Sequence, residues 1–124
     1  MLRLRLPIAP PLNNAYVNVA GHGRRKSARH RAWIKNADAY YVAQGLQRVE
    51  KITVPYVCRM IFPKHRGDID GRAKLALDWL VSRGLTIDDR HCRDLRLRKT
   101  DHPGHDVYIE VEPHAASEHG EPGA

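Results

Sequence analysis

Acidic side chains are the minority in this chain: 14 aspartates and glutamates against 21 lysines and arginines, a net charge of +7. Their placement is uneven. Asp68 and Asp70 stand two residues apart, Lys74 follows on the same side of a helical turn, and Asp88-Asp89 come after the next glycine stop. If the chain is extended at Asp68–Asp70, both carboxylates point to one side. Three or four converging carboxylates raise one another's pKa unless a cation neutralises them. Hard oxygen donors suit Mg²⁺ or Mn²⁺. Such an ion lowers the pKa of a bound water and stabilises charge on a phosphoryl oxygen. Lys74 is placed to stabilise charge developing on a phosphate, or simply to pair with Asp70 at i,i+4. Spacing alone leaves two further choices open. The aspartates could be solvated caps of a helix, and either Asp88 or Asp89 could be the returning ligand.

The elements that must hold these residues follow from periodicity. Leu2, Leu4 and Leu6 alternate with Arg3 and Arg5, a half-buried strand stopped by Pro7. Pro10-Pro11-Leu12-Asn13-Asn14 is irregular. Gly21 to Arg31 is glycine-punctuated and basic, and is expected to form a loop that contacts phosphate through Arg24, Arg25 and Lys26. Ser27 caps a helix that carries Trp33, Ala37 and Tyr40 or Tyr41 into the core and ends near Glu50. Alternation from Ile52 to Phe62 marks a strand, with Pro55 placing it at an edge or a bulge. Lys64 and Arg66 form a second basic cluster before the aspartates. Asp70 is the expected N-cap of a helix whose face is Ala73, Ala76, Leu77, Leu80 and Val81, closed by Gly84 with Leu85 after it. Strands at Leu95–Leu97 and Val107–Val111 are expected to form a hairpin. Residues 113–124 show no apolar periodicity and are expected to be disordered. The order β-α-β-α-β-β predicts one domain over residues 1–112, an α/β (α+β) fold with helices packed on a mixed sheet.

Composition bounds the partners. A pI near 9.8 favours polyanions. Charge alone would also admit an RNA- or ribosome-associated protein. Cys58 and Cys92 form no C-x-x-C pair and no disulfide framework, which suits free thiols in a reducing cytoplasm. No apolar run is long enough to span a bilayer, and Met1–Pro7 lacks the core of a signal peptide. No membrane partner and no small-molecule substrate are expected. His91-Cys92, His102-x-x-His105 and Cys58 offer soft ligands, but their spacing matches no standard zinc pattern.

Pro10-Pro11-Leu12-Asn13-Asn14, Asp68-Ile69-Asp70 with Lys74, and Gly84-Leu85-Thr86-Ile87-Asp88-Asp89 together resemble the RusA family of Holliday junction resolvases, small endodeoxyribonucleases often carried by phages and prophages. The order holds over roughly residues 4 to 112. The resemblance implies a homodimeric, Mg²⁺-dependent enzyme of DNA recombination and repair that resolves four-way DNA by paired symmetric nicks. It implies Asp68, Asp70 and Asp89 as metal ligands with Asp88 nearby, and Lys74 as the catalytic lysine. Asn13, Asn14, Arg24, Arg25, Lys26, Lys64 and Arg66 would contact DNA. The family commonly has asparagine after the second aspartate, where this chain has Gly71. A glycine there removes a potential ligand or cap and is expected to loosen the site. A non-catalytic binder of branched DNA on the same scaffold is the alternative.

Overall fold

The computed structural model describes residues 1–21 and 23–114. Strands β1 (Leu2–Pro7), β4 (Tyr56–Phe62), β5 (Cys92–Lys99) and β6 (Asp106–Pro113) form a mixed sheet in the order β1-β6-β4-β5. Helices α1 (Ala28–Ala43) and α2 (Asp70–Ser82) accompany it, and β2 (Tyr16–Val19) pairs with β3 (Gly23–Lys26) as a separate ribbon. The fold is α/β with a mixed sheet. Alternation puts Leu2, Leu4, Leu6, Val107, Ile109, Val111, Tyr56, Cys58, Met60 and Phe62 on one buried face. Trp33 and Ala37 of α1 and Ala73, Ala76, Leu77 and Leu80 of α2 belong to the same core. Arg3, Arg59, Arg96 and Tyr108 lie on the opposite, uncovered face.

Several expectations need correction. β5 and β6 are not a hairpin: β6 runs antiparallel to both β1 and β4, and β4 separates it from β5. β5 lies parallel to β4, so β4, α2 and β5 make a strand–helix–strand crossover. Of the two readings of Pro55, the bulge stands and the edge does not: Pro55 lies one residue before β4, which is central, and a register irregularity follows at Tyr56/Val57. Ile52 contributes only an isolated bridge to Thr86.

The basic segment is a β-ribbon rather than a loop. α1 stops well before Glu50, because Gly45 adopts a left-handed conformation at φ 66° and a 3₁₀ turn follows. Finally, Asp70 is the first helical residue of α2 and not its cap; Ile69 holds the cap position with no side-chain bond.

Other readings survive in detail. Ser27 accepts the N–H of His30 and caps α1. At the end of α2, Gly84 N–H bonds to Val81 O and Leu85 N–H to Leu80 O, with Gly84 at φ 70° and Leu85 fully buried. That is a Schellman closure with its apolar contact. The helices are clamped together where Asp38 accepts two hydrogen bonds from Arg83 and one from the Trp79 indole. Of the segment expected to be disordered, Pro113 closes β6 and the N–H of His114 donates to Pro55 O; the remainder lies outside the described residues. Among the described residues, no helix is long and apolar enough to cross a membrane.

Candidate active site

Gly67–Asp70 links the C-terminal end of β4 to the first turn of α2. Cations fasten this link at its carbonyls. Arg72 donates to Arg66 O at 3.1 Å and to Ala9 O at 2.5 Å, and Lys99 donates to Gly67 O at 3.1 Å. The Arg72 guanidinium is half-buried, and burial together with Arg29 lowers its pKa. Its hydrogen bonds therefore tie the proline-rich segment, the aspartate link and α2 into one frame. Arg72 and Lys99 gave no signal in the sequence, where they were two cations among many.

Asp68 and Asp70 are exposed and share the wall of an open cavity of about 690 Å³. Its other walls are Pro11–Asn14, Arg24 of the ribbon, and Gly67 and Gly71. Asn13, Asn14 and Arg24 thus face the same space as the two aspartates. Arg25, Lys26, Lys64 and Arg66 do not line it. The guanidinium of Arg24 lies 4.6 Å from the centre of the Tyr16 ring, a cation–π contact that steadies it at the mouth.

Gly71 is explained by this cavity. A Cβ there would lie 2.7 Å from Leu12 Cβ and 3.2 Å from Leu12 N. The bare backbone lets the 3₁₀ turn Leu12–Asn14 seat directly on the start of α2. The glycine tightens the site rather than loosening it.

Asp89 takes up a different position. It begins a 3₁₀ turn (Asp89–His91) ahead of β5, and its Oδ2 accepts from Lys74 Nζ at 2.5 Å. The same ammonium donates to Asp78 Oδ1 at 3.0 Å. Lys74 therefore pairs with Asp89 and Asp78 and not with Asp70. The hydrogen bonds it donates to Asp89 and Asp78 hold its pKa well above the ordinary lysine value. Asp88 is used otherwise: its Oδ1 accepts the N–H of Arg90 and caps the turn, and that bond lowers its pKa.

The crossover explains the separation of the two acidic pairs. Phe62 pairs with Lys99 at one end of β4 and Tyr56 with Cys92 at the other. Asp68 and Asp70 follow the first end; Asp89 precedes the second. Seven strand residues span about 20 Å. The returning loop brings Asp89 to Lys74.

Among the described residues, no group of three His, Cys, Asp or Glu side chains is placed to hold a metal ion. The donors of the cavity, carboxylate and amide oxygens, suit a hard divalent cation, but as arranged they do not close a three-carboxylate site. The soft-ligand set fares no better. Cys58 is buried, with its thiol pushed up to about 12 by burial, and His102 and His105 line a separate cavity near Tyr40. No family model and no curated protein matches the chain.

Proposed function

We propose that the protein is a Mg²⁺-dependent endodeoxyribonuclease that resolves four-way DNA junctions by paired phosphodiester hydrolysis, with Mn²⁺ as a substitute ion. One observation carries this reading: Pro11–Asn14, Arg24, and Gly67, Asp68, Asp70 and Gly71, distant in sequence, line one open cavity with two carboxylates, two amides and a cation. A phosphodiester needs that combination, because its charge must be approached by cations while acidic groups hold the ion. Asp68 and Asp70, on the cavity wall, would hold the ion, and Asp89 would complete the set on leaving Lys74; when bound the ion supplies an acidified water and stabilises charge on the phosphoryl oxygen. Lys74 stays protonated beside Asp89 and Asp78, so it serves as a donor to phosphate or carboxylate oxygen and not as a base. Arg24 at the cavity mouth, and the exposed Arg25, Lys26, Lys64 and Arg66 beyond it, would carry backbone contacts. A symmetric homodimer acting in the cytoplasm would match the two-fold symmetry of the junction.

The test is cleavage of a synthetic four-way junction with and without Mg²⁺. Asp70→Asn is expected to abolish cutting while junction binding remains; cutting at the wild-type rate sinks the assignment. A second reading, a non-catalytic binder of branched DNA, is favoured by one observation: Lys74 already pairs with Asp89 and Asp78, and among the described residues no three-donor group is assembled. Binding without any Mg²⁺-dependent cutting would decide for it.

A further inference from the structure

Both helices bury their apolar faces on one side of the sheet, and among the described residues no element covers the other. Yet β4 and β5 run parallel, and a parallel pair is ordinarily covered on both faces. We propose that a second copy of this chain covers the open face, the two sheets stacking about a two-fold axis that runs along the strands between β6 and β4. The proposal rests on the nuclease reading for its need of a symmetric dimer, and it names the surface that makes one.

Alternation and register give the face its pattern. One row across the sheet reads Arg3, Glu110, Arg59, Arg96, and the next reads Arg5, Tyr108, Ile61, Arg98. The apolar pair therefore sits on the two central strands, with arginines on the outer ones. Tyr108 is 55% exposed and Ile61 38%, a large apolar surface for neighbours in the middle of a sheet. Beside them lies a depression of about 250 Å³ whose walls include Arg59, Ile61, Arg96 and Tyr108.

An axis along the strands exchanges β6 with β4 and keeps each row in place. Tyr108 then lies over Ile61 of the partner subunit, with its ring in the partner's depression, and Glu110 lies over Arg59 of the partner subunit. Symmetry makes each contact twice. Arg59 already meets Glu112 at 3.0 Å, and its guanidinium has donors left for a second carboxylate. An axis across the strands through the same row would instead set Arg59 on Arg59 and Glu110 on Glu110. The remaining arginines fall on β1 and β5, where stacked twisted sheets diverge and leave them in water.

A phosphate backbone fits this face less well, because Glu110, Glu112 and Asp94 stand on it and would repel the chain of anions. Four strands by six residues give a flat footprint of about 19 by 20 Å, or about 800 Å² for two copies before side-chain relief is counted. That is near the lower bound for a specific interface, so the dimer is expected to depend on concentration in the micromolar range. Because the rows are kept, both copies point the same way along the axis. Both aspartate links follow the same end of β4 and so open at one end of the dimer, as two nicks in one junction require.

Sedimentation of the full chain, without DNA or divalent ions, reads the mass directly. The wild type is expected to pass from 14.1 kDa to twice that mass as its concentration rises. Glu110→Arg and Arg59→Glu each set like charges across both copies of the contact, and each should weaken the dimer about a hundredfold. Mixed in equal amounts, the two variants should sediment as a heterodimer, because every cation then faces a carboxylate; no change within a single chain gives that result. A wild type that stays monomeric, single variants as dimeric as the wild type, or a mixture that stays monomeric would each overturn the proposal. So would a Glu110→Arg variant of unchanged mass that binds junction DNA more tightly, which would make the face a phosphate surface. A chain that dimerises through this face yet cuts nothing supports the interface and overturns the nuclease reading. A monomer that cuts junctions overturns the interface alone.

Discussion

Replacing Gly71 by alanine sets two physical effects against each other, and they differ in sign. Gly71 sits in the first turn of α2, and its φ is not positive, so alanine fits the backbone conformation. Helix propensity alone then favours alanine by up to about 1 kcal/mol. The close approach of Leu12 acts the other way. The new Cβ would meet Leu12 Cβ at 2.7 Å and Leu12 N at 3.2 Å, neither of which is the free end of a flexible side chain. The Leu12–Asn14 turn must move, or α2 must. Overpacking of this kind costs about 1–3 kcal/mol, so the net expectation is a loss of about 1–2 kcal/mol. For a chain of this length the corresponding fall in melting temperature is about 3–8 °C. Displacing the turn also carries Asn13 and Asn14 away from Asp68 and Asp70, and a shift of about 1 Å at a reacting site can cost about 10²-fold in rate. Thermal melting and junction cleavage would be measured for Gly71→Ala, Leu12→Gly and the pair. The double variant should recover stability, giving a coupling energy of about 1 kcal/mol or more. Gly71→Asn carries the same Cβ and should behave alike. A rise in melting temperature for Gly71→Ala would refute the close approach and return the glycine to a matter of propensity.

Two further expectations follow from the charged groups. Lys74→Met should abolish junction cleavage but shift stability by less than about 1 kcal/mol, because the Lys74–Asp89 and Lys74–Asp78 pairs are half exposed; a large loss of stability with activity intact would assign Lys74 to the fold instead. His30 is buried against Tyr16 and Trp33, with Lys26 and Asp78 as its charged neighbours, and burial, the largest cause, lowers its pKa. Below the ordinary histidine value the unfolded chain then binds more protons than the folded one, so stability rises with pH across the window between the lowered folded value and about 6.5. Replacing His30 by asparagine should flatten that acid-side slope in melts taken from about pH 5 to 7, and a slope identical to the wild type would show that His30 does not contribute it.

What could be read from the sequence was what local chemistry decides. The Gly84 closure, the Ser27 cap and the alternating burial of β1 and β6 each depend on a few consecutive residues, and each stands in the structure. Pairing between distant segments was harder to read. Leu95–Leu97 and Val107–Val111 look like a hairpin because they are neighbours in sequence, yet β6 finds better burial between β1 and β4. The ribbon escaped notice for a different reason: Gly23-Arg24-Arg25-Lys26 is exposed on both faces and carries no apolar alternation to mark it as a strand. The proline-rich segment and the aspartates could be singled out separately as motifs. Their meeting depends on Gly71 and Arg72, whose roles appear only when Leu12 and Ala9 are seen against them.

The parallel crossover sets the chemistry open to the acidic pairs. A helix that links parallel neighbours begins at one end of the sheet and ends at the other, so residues before it and after it start far apart. Lys74 lies one turn into α2 from Asp70 and reaches Asp89 across the returning loop, with Asp78 as its second partner. One ammonium between two carboxylates leaves the trio with a net negative charge. Asp68 and Asp70 add two more carboxylates at the start of the same helix, with Arg24 as the only cation lining their cavity among the described residues. An otherwise basic protein thus places four carboxylates, Asp68, Asp70, Asp78 and Asp89, on or beside α2. That surplus is what a divalent cation would neutralise, and the surrounding arginines and lysines are what would bring a phosphate to it.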